Sequence, residues 1–406
     1  MDFDVEKIRQ DFPILSREVY NHPIVYFDNG ATTQKPRQVI ETVRKYYEEE
    51  NASIHRGIHY LSEHSTETYE KARETVRRFI NAASTNEIIF TSGTTGSINT
   101  IAFSFGEKFV SKGDEVILSE MEHHANIVPW QMMCERKGAS LKVIPFNEKG
   151  ELILEEYEKM LSRKTRIVAV THISNTLGTI NPVREIIQKA HAKNIPVLID
   201  GAQAVQHESV DVQELDADFY VFSGHKVYAP NGIGVLYGKE QLLYDMPPYQ
   251  GGGDMVDCVS FEKTTYNELP FKFEAGTMNY VGAAGLASAL DYISDIGIGK
   301  IREYEHSLLE YATMKLMSVP GLQIYGNAPE KISILSFLLE GIHPYDAGMV
   351  LDKLGIAVRT GTHCNQPVMD HYKITGTLRA SLAFYNTTEE IDQLHDGLHR
   401  VLKMFG

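Results

Sequence analysis

From Glu87 onward, short apolar runs rich in β-branched residues alternate with amphipathic stretches. The runs are EIIFTS, EVILS, LKVIPF, TRIVAVTHIS, IPVLIDGA, DFYVFS and GVLYG, and stretches such as Ile127–Lys137 and Val183–Lys193 separate several of them. Strands that are apolar almost throughout must be covered on both faces, and helical crossovers provide that cover. The pattern therefore predicts a doubly wound α/β fold around a mostly parallel sheet. Upstream, residues 1–20 read as a short helix and an irregular arm, IVYFDNGATTQKP as a strand entering a loop, and Pro36 as the start of a helix running to about Glu50. Asn51–Ser65 is polar and His-rich and reads as a loop near a site, before a charged helix at about Thr66–Asn81.

The Gly/Pro-rich stretch 247–257 and a polar segment lead to a different pattern. Two long helices, Ala283–Ile296 and Lys300–Ser318, precede strands LQIYG and ISILSFLLE. Then come a helix at Tyr345–Leu354, the β-rich run IAVRTGTHC, the strand LRASLAFYN and a final helix. The expected organisation is a large α/β domain over 21–285 and a smaller α+β domain built from 1–20 and 286–406.

The 406-residue length agrees with one large and one smaller core. A net charge of −15 disfavours nucleic acid and anionic membrane, which leaves small molecules and proteins as partners. No run approaches the roughly 18 apolar residues of a spanning helix. The start MDFDVEKIRQD lacks the blocks of a signal peptide, so a cytoplasmic protein is expected. Cys134, Cys258 and Cys364 form neither a CxxC pattern nor an even set, which suits a reducing compartment.

Chemistry is expected where strands end, because open α/β sheets keep their ligands there. The strand in DFYVFSGHK empties into a Gly-His turn that ends on Lys226, with Ser223 and His225 flanking the turn. Gly93-Thr94-Thr95-Gly96-Ser97 lies between a strand and a helix and is a candidate phosphate cradle. Asp200 ends IPVLID, where a carboxylate in an uncharged run needs a cationic or hydrogen-bonding partner, and Gln203 follows. In the run Glu122-His123-His124, an imidazole at a strand end could stack on a flat ligand or move a proton. No HExxH or Cys/His spacing supports a metal. A phosphate turn, a carboxylate, a histidine and a lysine on separate strand ends together describe pyridoxal 5′-phosphate. Among the cysteines, Cys134 reads as packed on a helix and Cys258 follows acidic residues. Cys364 lies in a polar loop beside His363 and after Arg359, the setting of a nucleophilic thiol.

The motifs MEHHANIVPW, THISNTLGT, LIDGAQAV, SGHK, FEAGT and RTGTHC, in this order and across nearly the whole chain, resemble the class V aminotransferase family, specifically SufS-type cysteine desulfurases. The resemblance implies the type I fold of pyridoxal-phosphate-dependent transferases, as a homodimer with active sites built partly across the interface. It implies Lys226 bonded to the cofactor aldehyde, Asp200 at the pyridine nitrogen, His123 over the ring, and Gln203 at the ring hydroxyl. Thr95, Ser223 and His225 would hold the phosphate, and Thr277 the other subunit's phosphate. Arg379 would bind the substrate carboxylate, with Asn175 and Arg359 beside it.

The implied reaction turns L-cysteine into L-alanine, with Lys226 as proton carrier, His123 assisting and a persulfide on Cys364. Sulfur would pass to a SufE- or SufU-like acceptor for iron–sulfur cluster assembly. L-Selenocysteine is an alternative substrate, and a catalytically silent scaffold is a rival reading that the joint presence of these residues opposes. Thr362, Asn365 and Met278 depart from the family pattern of His, Ala and Pro at those places, as does the lack of an acidic residue after Thr94 and Thr95.

Overall fold

The structure, a computed structural model, describes residues 3–405. Its centre is a seven-stranded sheet of β1 (Ile88–Thr91), β2 (Glu115–Ser119), β3 (Ser140–Ile144), β4 (Thr165–Thr171), β5 (Val197–Asp200), β6 (Phe219–Ser223) and β7 (Gly234–Gly238). The spatial order is β1-β7-β6-β5-β4-β2-β3. All pairings are parallel except those of β7, which runs antiparallel to both β6 and β1.

Alternation along each strand sends successive residues to opposite faces. Ile88, Phe90, Ile117, Val168, Val170, Val197 and Ile199 enter one core cluster. Their neighbours Ile89, Val116, Leu118, Ile167, Ala169 and Leu198 enter another. Two buried faces explain why these strands read as continuous apolar runs, and the doubly wound α/β expectation holds.

A second, antiparallel sheet contains β8 (Leu322–Tyr325), β9 (Ile334–Leu339), β10 (Arg359–Gly361) and β11 (Thr377–Ser381) in the order β8-β9-β11-β10. Phe337, Leu378, Leu398 and Val401 centre its core, which also takes Val25 and Phe27. The stretch IVYFDNG thus joins this second layer. Val25–Tyr26 pairs in parallel with Ile356–Ala357, and Asp28 bridges Ser381. Residue 285 lies within the helix Tyr280–Ile296, whose inward residues Ala283, Leu286 and Ile293 belong to the large-sheet core.

Local readings need three corrections. The helix expected at Thr66–Asn81 begins at Tyr60, because the His59 imidazole accepts the Ser62 N–H and caps it, so the His-rich loop is shorter. The helix after Pro36 is α-helical over Arg37–Lys45 and widens to a π-turn over Tyr46–Glu50. The segment beyond the Gly/Pro-rich stretch contains an exposed hairpin, Val256–Val259 with Thr264–Tyr266.

Candidate active site

The carboxyl ends of β5 and β6, the loops after β1, β2 and β4, and the second sheet enclose a cavity of about 330 Å³. Every site residue expected from sequence except Thr277 lines it. Thr277 lies beyond the cradle and lines a neighbouring cavity with Gly96 and Tyr249. Its segment is fixed by Glu274, which accepts two hydrogen bonds from Arg73 at 2.7 and 2.9 Å, one from the Tyr69 hydroxyl at 2.8 Å and one from the Phe90 N–H at 2.7 Å.

One end of the cavity is built for an anion. Gly93, at φ 139°, turns β1 into the helix Thr94–Phe109, whose first N–H groups lack acceptors within the helix. The Thr94 N–H donates to Ser223 Oγ at 2.7 Å, and the two hydroxyls lie 2.8 Å apart. A side chain on Gly234 would put its Cβ 2.4 Å from Gly93 Cα, so glycine there lets β7 press against the turn. His225 completes the wall. Burial and the nearby Lys226 and Lys35 push its pKa down to about 4, leaving a neutral ring.

In the middle, Asp200 is 4 % exposed, and burial raises its pKa despite a 2.9 Å hydrogen bond from the Ala202 N–H and the charge of Lys226. Among the described residues no cationic side chain forms an ion pair with it. Enclosure lowers the Lys226 pKa to about 8, with Asp200 acting in the opposite direction. His123 is held near pKa 3 by burial, Lys226 and His124. Its Nδ1 accepts the Ala125 N–H at 3.0 Å, which leaves the proton on Nε2. Gln203 donates to the Gly30 carbonyl at 2.6 Å.

At the far end, Arg379 is 2 % exposed and donates through Nη1 to the Asn175 carbonyl at 2.8 Å, while its Nε has no partner. Burial brings its pKa down to about 10. Arg359 reaches the cavity too, but its Nε and Nη2 are engaged by Asp28 at 2.9 and 2.8 Å.

The cysteine loop is clamped. His363 and Cys364 both adopt left-handed backbone conformations, φ 55° and 57°, each costing about 1 kcal/mol for a non-glycine residue. Hydrogen bonds compensate. Asn175 Nδ2 donates to the His363 carbonyl at 2.8 Å, the His363 ring meets Thr377 Oγ1 at 2.8 Å, and the His124 N–H donates to the Cys364 carbonyl at 2.9 Å. Asn365, fully buried, donates to the Met121 carbonyl at 2.8 Å, which gives this departure from the family pattern a structural purpose. Cys364 stays exposed, whereas Cys134 is buried and Cys258 lies on the outer hairpin.

Sequence reasoning overlooked Asp28 and Glu122. Asp28 ends an apolar run, the same signal that marked Asp200. Glu122 is fully buried behind His123, where it accepts from the Thr171 N–H and Asn126 Nδ2, and burial pushes its pKa up to about 8.

Pyridoxal 5′-phosphate fits this donor set. An anion cradle lies at one end, a buried carboxylate without a cationic partner could meet a protonated ring nitrogen, and an amine of lowered basicity stands between them. Among the described residues no group of His, Cys, Asp and Glu could hold a metal ion, and no helix is long and apolar enough to cross a membrane.

The aminotransferase class-V profile matches residues 25–394. A cysteine desulfurase of Enterobacter sp. strain 638 is 52% identical over 407 residues, with both chains covered in full. A cysteine desulfurase of Synechococcus elongatus is 51% identical over 399 residues, 98% of this chain but 64% of that protein, so the chain spans just under two thirds of that relative. The crystal structure of the Escherichia coli cysteine desulfurase CsdA superposes with a TM-score of 0.93 at 38% identity, with both chains covered in full. An apo cysteine desulfurase from Thermococcus onnurineus gives 0.93 at 37%, covering 98% of each chain. The chain belongs to the aminotransferase class-V family, in the branch of pyridoxal-phosphate enzymes whose members are named cysteine desulfurase.

Proposed function

We propose that the protein is a SufS-type desulfurase that takes sulfur from L-cysteine, releases L-alanine and carries the sulfur as a persulfide on Cys364. The observation that supports this reading most directly is an exposed thiol in the same cavity as an amine, a buried carboxylate and a buried arginine with a free N–H.

When bound, pyridoxal phosphate supplies an electron sink conjugated to the substrate Cα. The first-turn N–H groups at Thr95, with Ser223 and His225, would hold its phosphate. Asp200 would favour a protonated ring nitrogen, and Gln203 and His123 would hold the ring in place. Arg379 receives the substrate carboxylate through its free Nε edge, with Asn175 bracing the guanidinium. Lys226, at a pKa of about 8, takes the Cα proton near neutral pH and returns it. His123, uncharged and protonated at Nε2, is a hydrogen-bond donor.

Cys364 thiolate then attacks the substrate sulfur. An S–S bond forms as the Cβ–S bond breaks, and its electron pair stays on carbon, which takes up a proton to become the methyl of alanine. The clamped but exposed Cys364 suits hand-over to a SufE- or SufU-like acceptor protein in iron–sulfur cluster assembly in the cytoplasm. A homodimer accounts for Thr277 facing away from its own cavity, and for the exposed Ile58, Tyr60 and Phe261. We propose a cofactor unit and a cysteine-loop unit with the expected boundary at 285 moved to the end of the helix Tyr280–Ile296, which packs on the large-sheet core, and with 25–28 joined to the cysteine-loop unit.

The deciding experiment incubates Cys364→Ala with L-cysteine. Alanine release should fall about a hundredfold or more while the cofactor absorbance is retained. Release at the wild-type rate would remove Cys364 from the reaction.

A further inference from the structure

The loop that enters the helix after Pro36 converges on one backbone atom. The His225 carbonyl accepts from the Thr33 N–H at 3.1 Å, the Thr32 hydroxyl at 3.0 Å, the Thr33 hydroxyl at 3.2 Å and the Lys35 amine at 2.9 Å. A carbonyl oxygen has two lone pairs, so four donors exceed what its satisfaction requires. The Lys35 amine also donates to the Thr33 carbonyl at 2.7 Å, which closes the loop on itself. On the far side of the turn, Thr33 Oγ1 accepts the Tyr228 N–H at 2.9 Å, and Tyr228 is held in the left-handed region at φ 64°. The turn Gly224–Lys226 is therefore gripped on both sides of Lys226. The loop's other end is anchored on β11, where the Gly30 N–H and Asn29 Nδ2 donate to Ser381 at 2.8 Å each. Burial lowers the Lys35 pKa to about 7. The neutral amine still has two N–H groups for its two carbonyls, so the tie outlasts the charge.

We propose that Lys35 is a positioning residue: with Thr32 and Thr33 it clamps the peptide that carries Lys226, so that the Lys226 amine stands in reach of the cofactor aldehyde. A lysine side chain is long and flexible, and the region its nitrogen searches is set by where its backbone is held. A misplacement of about 1 Å can slow a reaction about a hundredfold. The demand is greatest whenever Lys226 is a free amine and must find the aldehyde. Lys35 lies outside the cavity lining and acts through the His225 carbonyl. This inference rests on Lys226 as the residue that bonds the cofactor. It does not depend on the desulfurase step.

The test separates bonding from docking in the full-length, cofactor-free protein. Stopped-flow absorbance gives the limiting rate at which saturating pyridoxal 5′-phosphate bonds to Lys226, read at about pH 9, where that amine is mostly neutral. Pyridoxamine 5′-phosphate, which has the same ring and phosphate but no aldehyde, gives the affinity of the cradle alone. Lys35→Met should slow bonding by about fivefold or more, the scale of one lost hydrogen bond, and leave pyridoxamine phosphate affinity unchanged. Thr32→Val, which strips an uncharged donor from the same carbonyl, should slow bonding in the same sense. An unchanged bonding rate in Lys35→Met overturns the proposal. So does an equal loss of bonding and of pyridoxamine phosphate affinity, which a merely structural lysine would give. Slowing in Lys35→Met but not in Thr32→Val would assign the effect to charge and overturn the clamp. If wild type binds pyridoxamine phosphate yet Lys226→Ala still bonds the aldehyde, the Lys226 assignment falls and this proposal with it. Slowed bonding in Lys35→Met alongside wild-type alanine release from Cys364→Ala would remove only the desulfurase step.

Discussion

Two enclosed groups make the chemistry of single residues measurable. Lys226 has a pKa of about 8 because its ammonium loses hydration inside the cavity. Only the neutral amine bonds an aldehyde, so the rate at which cofactor-free protein recombines with pyridoxal phosphate should rise with pH through a midpoint near 8 and level off roughly one pH unit above it. A stopped-flow rate still climbing at pH 10 would contradict this. Glu122 is the converse case. In the folded protein it keeps its proton to about pH 8, whereas an unfolded chain gives it up near the ordinary value of 4.5. The native state thus binds more protons between those values, so the stabilising contribution is full below about 4.5 and is lost as pH rises through 8. Denaturation midpoints should fall over that window in wild type and be flatter in Glu122→Gln. Neither effect was readable in sequence, where a glutamate before two histidines carries no record of what covers it.

At the scale of elements, the strand ends were the legible part. The runs ending in Asp200 and Ser223 are apolar because both sheet faces are buried, and their first polar residues fall where the cavity opens. The hairpin at 256–266 was hidden by the glycines before it, although VDCV and TTY carry β-branched residues. The start of the helix at Tyr60 was hidden because its cap is a histidine, an uncommon capping residue. The close approach of β7 to the anion turn gives a sharp test. Gly234→Ala would force a methyl into the backbone of Gly93. We expect destabilisation by about 1–3 kcal/mol, with cofactor retention weakened by displacement of the Thr94–Gly96 N–H groups. Thermal melts with and without added pyridoxal phosphate separate the two effects.

At the scale of the whole molecule, the pairing of Val25–Tyr26 with Ile356–Ala357 and the reach of Asp28 to Arg359 join residues more than 300 positions apart. No periodicity reports such contacts, which is why the Asp28 brace stayed invisible while the nearby Arg379 did not. Ile58, at 97 % exposure, and Phe261, fully exposed, carry apolar surface that a lone chain leaves in water. Sedimentation should give twice the 45.7 kDa chain mass. Replacing Ile58 and Phe261 by glutamate should shift the distribution toward single chains and lower activity per chain; an unshifted mass would remove these residues from the interface.

The bonds that tie the cysteine loop to the segment after β2 have one more consequence. The Cys364 carbonyl holds the His124 N–H, Asn365 holds the Met121 carbonyl, and the Gln366 N–H meets His124 Nε2 at 3.2 Å. The Cys364 loop and the segment that carries His123 are therefore cross-linked at three points. On the roles proposed above for Cys364 and His123, a displacement of the thiol would strain the wall that holds the imidazole.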